Sequence, residues 1–181
     1  MTKLAYLMIA LTGIVTLSAG TGTSDGGETP IPIDPESGKY RHREVVEVQG
    51  ASADELLNRA RSWVAASYQP GKYVTKLDDE GSHTLVIKGT TDVPRTTDQA
   101  SVQYTLTLET EDGRYRCTIG DFTVSTLPSE YGPGLKGYEL ERVNPKKPIV
   151  KQTAEAMDAL VADLAAAMAT PNAPGAPTVG P

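Results

Sequence analysis

The sequence predicts an α+β fold, in which an antiparallel sheet of about five strands carries two helices on one face. Several segments in the middle of the chain have apolar residues at every second position, which is typical of half-buried strands. Two longer segments have apolar residues at helical spacing. The predicted order is strand, helix, four strands, helix. Short connections between the four later strands favour antiparallel pairing, and both helices then cover the same face.

The strongest strand pattern lies in residues 102–124, which predict two strands joined by Asp112-Gly113. This dipeptide is favoured in two-residue hairpin turns, where both central positions need positive φ. Pairing Glu111 with Arg114 then fixes the register. It places Leu108 opposite Cys117, Leu106 opposite Ile119, Glu109 opposite Arg116, and Thr107 opposite Thr118. A shift by one residue would mix apolar and polar faces, so a two-residue turn is predicted.

The remaining elements follow from the same patterns. Ser52 and Glu55 fit a capping box, in which the serine accepts from the third helical N–H and the glutamate reaches back to the cap N–H. The predicted ranges are a strand over 43–49, a helix from the cap to about 68, strands over 73–77 and 83–89, and a helix over 149–169. Residues 90–100 are a predicted polar connection. Residues 125–148 are either a packed connection, with an optional short strand over 138–142, or a functional loop.

Both ends of the chain are predicted to lie outside the folded domain. Lys3, the apolar run of residues 4–17 and the small residues 18–20 are typical of a secretory signal, and the run is shorter than the roughly 20 residues that span a bilayer. The predicted domains are a signal peptide over 1–20, a disordered linker over 21–40, an α+β domain over 41–170 and a flexible tail over 171–181. We therefore expect a periplasmic or secreted protein without stable membrane insertion after leader cleavage; a retained leader acting as a membrane tether is the second option.

The composition of the chain argues against several kinds of ligand and site. The net charge of −6 argues against binding to nucleic acid, which requires an excess of positive charge. The single cysteine, Cys117, excludes an internal disulfide and a multi-cysteine metal site, and its place on the apolar side of a strand predicts a core residue. His42 and His83 have no partner at metal-ligand spacing. Residues 132–137 match G-x-G-x-x-G, but two prolines follow instead of a helix, so no dinucleotide site and no cofactor are predicted.

The polar side of the central hairpin and the long connection beside it form the candidate binding surface. Its predicted members are Lys88, Gln103, Thr105, Thr107, Arg114, Arg116, Thr118, Tyr131 and Tyr138. The two arginines could bind an anion, but the predicted register places each opposite a glutamate. Cross-strand ion pairs are a common structural use of such residues, so this interpretation is favoured.

Three stretches carry a resemblance to a known family: VEVQGASADELLNRARSWV at 46–64, KGT at 88–90 and DGRYR at 112–116. They resemble the exported bacterial domain of unknown function with TBP-like fold, which is found mainly in Bacteroidetes, and the resemblance covers roughly residues 43–169. It implies a curved antiparallel sheet with two helices behind it, and it implies no activity and no catalytic residues. The name of the fold does not imply DNA binding.

Three classes of function remain open. The first hypothesis is an exported non-catalytic module that binds a protein or glycan of the cell envelope, because no catalytic constellation is visible in the sequence. The second is an enzyme that acts on an envelope polymer through carboxylates scattered along the chain. The third is a carrier that holds a small apolar ligand between sheet and helices. The sequence leaves the partner and the oligomeric state open.

Overall fold

The computed structural model describes residues 30–68, 73–94, 99–126 and 137–170. The predicted signal peptide, the first part of the predicted linker and the predicted tail lie outside these residues. The strands are β1 (Arg41–Glu47), β2 (Tyr73–Asp79), β3 (Thr84–Pro94), β4 (Gln99–Glu111), β5 (Arg114–Thr126) and β6 (Tyr138–Glu139). The helices are α1 (Ala53–Ser67), a 3-10 turn (Leu140–Arg142) and α2 (Pro148–Ala169).

The strands form one antiparallel sheet in the order β1-β5-β4-β3-β2, and the short β6 pairs with the end of β5. Helix α1 packs on β3, β4 and β5, and α2 packs on α1 and β3. The apolar side chains of the strands lie between the sheet and these helices. The α+β fold predicted from the sequence is confirmed, with one short strand more than the five expected. We call the side under the helices the helix face and the other side the open face.

The register of the central hairpin is confirmed at each predicted pair, from Glu111 opposite Arg114 to Leu106 opposite Ile119. The turn has two residues, as predicted, but only Gly113 has positive φ. The expectation of positive φ at Asp112 is therefore wrong. The start of α1 holds this turn, because Asp112 Oδ1 accepts from the Ala53 N–H at 2.9 Å and the Gly113 N–H donates to the Ala51 carbonyl at 2.8 Å.

Strands β3 and β4 are longer than predicted, and the expected polar connection is wrong for residues 90–94 and 99–100; residues 95–98 lie outside the described part of the chain. The two strands stay paired from Thr90 opposite Gln103 to Pro94 opposite Gln99. Val93 is buried on the helix face, so the alternation of the strand continues through this polar stretch. Pro94 stands at the end of the ladder, where its missing N–H costs least.

The last part of the predicted linker is packed against the sheet. Ile31 is only 2% exposed, Ile33 bridges to Tyr40, and the Arg41 N–H donates to the Pro32 carbonyl at 2.8 Å. Arg41 also forms an ion pair with Asp34 at 2.6 Å. The expectation of a disordered linker is therefore wrong for residues 30–40, and β1 begins two residues earlier than predicted. The buried side chain of Ile31 and the backbone contacts of Pro32 and Ile33 anchor a segment whose composition favours disorder.

Helix α1 begins as predicted but uses its cap differently. Ser52 Oγ accepts from the Glu55 N–H at 3.2 Å. Glu55 does not reach back to the cap; its carboxylate binds Arg59, one turn further along the helix. Arg59 carries a charge, yet it is only 5% exposed and donates to the carbonyl oxygen of Met168 near the end of α2. That contact satisfies one of the carbonyls that a helix C-terminus leaves without a partner.

Trp63 and Cys117 both belong to the core, and the prediction that Cys117 is a core residue is confirmed. Trp63 is buried, and its indole N–H donates to Asp163 on α2 at 2.7 Å. Cys117 is fully buried among apolar side chains of the helix face. Burial, with a smaller contribution from the negative charge of Glu44, raises the pKa of the Cys117 thiol to about 12. A thiol with so high a pKa is protonated at neutral pH and is a poor nucleophile.

Candidate binding surface

The threonines of the candidate surface lie in the middle of the open face. Thr107 on β4 is flanked by Val86 on β3 and by Thr118 on β5. Thr105 is the next outward residue of β4, and its cross-strand neighbours are Lys88 and Gly120. The threonine side chains are partly exposed, because the helices cover only the opposite side of the sheet. The sequence therefore placed this part of the surface on one face, and the structure shows hydroxyl groups from adjacent strands side by side.

Gln103 continues the same face toward the end of β4, where it is exposed between Thr90 and Thr123. The register between β4 and β5 shifts by one residue here, because β5 has an extra residue between Gly120 and Thr123. Asp121 lies in this bulge with a φ of 53°. A bulge of this kind increases the local twist of the sheet, so it marks the limit of the regular part of the open face.

Arg114 and Arg116 lie on the open face near the central turn, and each binds the glutamate that the register predicts. Arg116 Nη1 is 3.2 Å from Glu109 Oε2, and Arg114 contacts Glu111 through two of its nitrogens. The glutamate beside it raises the pKa of Arg114. The carboxylates occupy the guanidinium donors that an anion would need. The structural interpretation of these arginines is therefore favoured by their geometry.

Two cations on the open face form no close ion pair among the described residues: Lys88 on β3 and Arg43 on β1. Each is exposed and lies directly across from a threonine, Lys88 from Thr105 and Arg43 from Thr118. The charge of Arg43 also acts on the nearby carboxylate of Asp34. Three strand spacings of about 4.8 Å separate β3 from β1, so the backbones of the two cations stand roughly 15 Å apart across the threonines. Although the whole chain is acidic, uncharged threonines lie at the centre of this face with a cation on each side.

The two tyrosines of the predicted surface do not join the threonines. Tyr138 pairs with Val124, whose side chain points into the core, and Tyr138 packs against that core on the helix face. The prediction that it belongs to the outward surface is wrong, because the pairing of β6 with β5 determines which face it takes. Tyr131 lies outside the described residues. The 3-10 turn after β6 buries Leu140, so the described end of the long connection packs on the domain.

The histidines lie apart from each other and from this surface. His83 Nε2 is 2.9 Å from Asp54 at the start of α1. His42 Nε2 is 3.8 Å from Glu44 Oε2 on the same strand. Within residues 30–68, 73–94, 99–126 and 137–170, no three His, Cys, Asp or Glu side chains are grouped as a metal ion would require.

Sequence reasoning missed the outward residues of β1: Arg43, Val45 and Glu47. They lie on the open face beside Thr118, Arg116 and Arg114, respectively. The alternation in RHREVVE was a usable signal for the strand, but nothing local shows that β1 pairs with β5 and ends the sheet. That pairing joins residues about 70 positions apart and is decided by the tertiary fold.

Comparison with known proteins agrees with this architecture. The structure is similar to a TBP-like protein from Parabacteroides distasonis, with a TM-score of 0.68, 19% identity, and coverage of 79% of this chain and 99% of that protein. It is also similar to a DUF4468 family protein from Bacteroides ovatus, with a TM-score of 0.63, 15% identity, and coverage of 81% and 94%. At these identities the likeness shows the fold alone.

No curated protein is detectably similar in sequence. None of the helices in the described residues is long and apolar enough to cross a membrane. Residues 42–125 match the model of a family described as a domain of unknown function (DUF4468) with TBP-like fold. This matched part includes most of β1, α1 and the strands that carry the open face. Over residues 42–125 the chain is therefore similar to the DUF4468 domain, and its fold is TBP-like.

Proposed function

We propose that this chain is an exported, non-catalytic module that binds a protein of the cell envelope through the open face. The observation that carries the proposal is a sheet face on the side away from the two helices, with threonines at its centre and the exposed cations Arg43 and Lys88 on either side. Export rests on the residues typical of a secretory signal at the start of the chain.

The size of the face suits a protein partner. The sheet has five main strands spaced about 4.8 Å apart, and its longest strands have 13 residues, each spanning about 3.3 Å. A face of these dimensions is comparable with the roughly 800 Å² that each partner contributes to a standard protein interface. Small-molecule sites are concave instead. The hydroxyl, amide and cationic groups favour a partner surface with acidic and hydrogen-bonding side chains.

A glycan is the less favoured partner. The aromatic side chains of the described strands, such as Tyr104, Tyr115 and Phe122, are buried in the core. A sugar ring would therefore find no described aromatic side chain on the open face to stack on. The enzyme and carrier hypotheses have no specific observation in their favour among the described residues.

Site-specific photocrosslinking in bacterial cells that express the full chain tests this proposal. A photoreactive amino acid at Thr107, in the centre of the open face, is expected to give a discrete protein adduct. The same amino acid at Ala159, an exposed position of α2, is the matched control and should give none. The Lys88→Glu and Arg43→Glu variants should weaken the adduct at position 107, because they reverse the two exposed charges.

Three results would overturn the proposal in different ways. Equal adducts at 107 and 159 would mean that the open face has no special role. Binding of the purified chain to a glycan array, without a protein adduct, would assign the face to a glycan. A full-length mass with the leader still attached, found in the cytoplasmic fraction, would remove export.

A further inference from the structure

The two edges of the sheet differ in how they are protected. Edge strands expose backbone N–H and C=O groups and are commonly blocked by bulges or charges. The outer edge of β2 is interrupted, since the register with β3 shifts between Thr75 and Leu77. The outer edge of β1 has seven residues in unbroken register with β5. Within residues 30–68, 73–94, 99–126 and 137–170, the backbone contacts on its outer side are those of Tyr40 with Ile33 and of Arg41 with Pro32.

Two backbone hydrogen bonds show which groups of β1 point away from the sheet. The Val48 N–H, just after β1, donates inward to the Gly113 carbonyl at 2.7 Å, and the Arg41 N–H donates outward to Pro32. Backbone groups alternate in direction along a strand. The N–H and C=O groups of Arg43, Val45 and Glu47 therefore point outward, and no described strand pairs with them.

We propose that this edge, Arg43–Glu47, binds the same edge of a second copy of this chain, so that two sheets join into one across a two-fold axis at Val45. In this antiparallel register Val45 faces Val45 of the other copy. Arg43 of each copy then faces Glu47 of the other. Six backbone hydrogen bonds form, because all three residues present both of their backbone groups outward.

Charge selects this register. Centring the pair on Arg43 or on Glu44 would set identical charges opposite each other, which is destabilising. Centring it on Val46 would place Val45 opposite Glu47. Only the register centred on Val45 places Arg43 of each copy opposite Glu47 of the other copy and Val45 opposite Val45. A two-fold interface requires such self-complementarity.

Exposed apolar surface points to the same edge. The large apolar side chains exposed among the described residues are Ile33, Val45 and Leu77. Val45 lies at the proposed axis, and Ile33 lies beside the start of β1. Leu77 is at the opposite edge, where the register of the sheet is broken. Val45 and Leu77 have similar exposure, 37% and 45%, so they form a matched pair for an experiment.

Disulfide trapping with the Val45→Cys and Leu77→Cys variants of the full chain tests the register. Residues that face each other in a hydrogen-bonded antiparallel pair have Cα atoms about 5.5 Å apart, which lies within the range of disulfides, about 4.4–6.8 Å. Under mild oxidation, Val45→Cys is expected to form a covalent dimer at least tenfold faster than Leu77→Cys. The native Cys117 is buried and does not compete. Equal rates for the two variants, or a faster rate for Leu77→Cys, would overturn the proposal.

Charge reversal tests the pairing independently of the cysteines. Arg43→Glu and Glu47→Arg each create two like-charge contacts across the axis, so each should raise the dimer Kd in sedimentation equilibrium by roughly tenfold. The double variant restores opposite charges and should return the Kd toward that of the parent. Lys146→Glu, at an exposed position before α2, changes the net charge as much as Arg43→Glu does and should leave the dimer Kd unchanged. A double variant as weak as the single ones would overturn the register.

Discussion

The ring of Tyr104 on β4 occupies the space that a side chain on Gly89, its partner on β3, would need. A Cβ built on Gly89 would lie 2.6 Å from Cζ of that ring. The Tyr104 hydroxyl is 2.7 Å from the hydroxyl of Tyr68 at the end of α1. Burial raises the pKa of both tyrosines, so both are neutral in the folded chain. The glycine thus lets one tyrosine lie flat on the sheet and reach the helix above it.

Gly89→Ala is expected to lower the free energy of unfolding by about 2 kcal/mol, because the added methyl group displaces a fully buried ring. Urea denaturation followed by the fluorescence of Trp63, the only tryptophan, measures this loss. Gly81→Ala is the control, since its Cβ would come no closer than 3.4 Å to Asp79 in an exposed turn. Losses that agree within about 0.5 kcal/mol for the two variants would contradict the close approach of Tyr104.

Arg59→Lys is expected to cost about 1–2 kcal/mol although it keeps the charge. The planar guanidinium binds the Met168 carbonyl and the Glu55 carboxylate through two different nitrogens, and a single ammonium group does not reproduce that geometry. Arg114→Lys on the open face is the matched control, because its ion pair is about half exposed and such pairs contribute little. Thermal unfolding of both variants measures the two losses. Equal shifts in Tm would contradict a larger contribution of Arg59 to stability.

Cys117 is expected to react with iodoacetamide at pH 8 roughly a thousandfold more slowly in the folded chain than in guanidinium. The folded pKa of about 12, against an ordinary value of 9.0, accounts for a factor of that size in the thiolate fraction. Mass spectrometry over time gives both rates. Rapid alkylation under native conditions, before any unfolding, would show that the thiol is accessible after all.

The same pKa shift predicts a pH dependence of stability. Because the folded pKa is raised, the thiol is protonated in both states below pH 9 and changes nothing there. Between pH 9 and about 12 only the unfolded state loses the proton, so the free energy of unfolding falls as pH rises. Denaturation curves of the parent and of Cys117→Ala should converge across this window. A difference that stays constant with pH would contradict the shift.

Asp121→Gly is expected to leave stability unchanged or to raise it by up to about 1 kcal/mol, and Asp121→Val to lower it by about 1–2 kcal/mol. Asp121 has a φ of 53° in the bulge of β5, a conformation that glycine adopts freely and a β-branched residue resists. Lys39 contacts the aspartate at 3.5 Å, an exposed pair that contributes little. Chemical denaturation of both variants ranks them. A valine variant as stable as the glycine variant would argue against the bulge.

The sequence predicted the parts of the fold that depend on local alternation. The register of the central hairpin followed from Asp112-Gly113 and from the apolar residues Leu106, Leu108 and Cys117, because a slip of one residue would move all of them to solvent. The bounds of α2 followed from apolar spacing, with a start only one residue away from the predicted one. These signals are local, so one chain was sufficient to see them.

The errors occurred where a contact with another segment overrides local composition. Residues 90–94 and 99–100 lie in a mostly polar stretch that contains Pro94, yet they extend β3 and β4, because each strand supplies the other with hydrogen-bond partners. Arg59 is buried because the end of α2 offers it a carbonyl. Tyr138 turned from the surface to the core because β6 pairs with Val124 on β5. For Arg59 and Tyr138, these partners lie outside the local pattern from which the prediction was made.

For the binding surface, the sequence by itself determined that Thr107 and Thr118 share one face, since strand alternation and the hairpin register place them side by side. Only the tertiary structure decided that both helices pack on the opposite face, that Arg43 and Lys88 stand on either side of the threonines, and that β1 is the outermost described strand on its side of the sheet. The physical reason is the range of the interactions. Side-chain alternation acts between neighbouring residues, whereas the order of strands in a sheet depends on pairing between segments far apart in the chain.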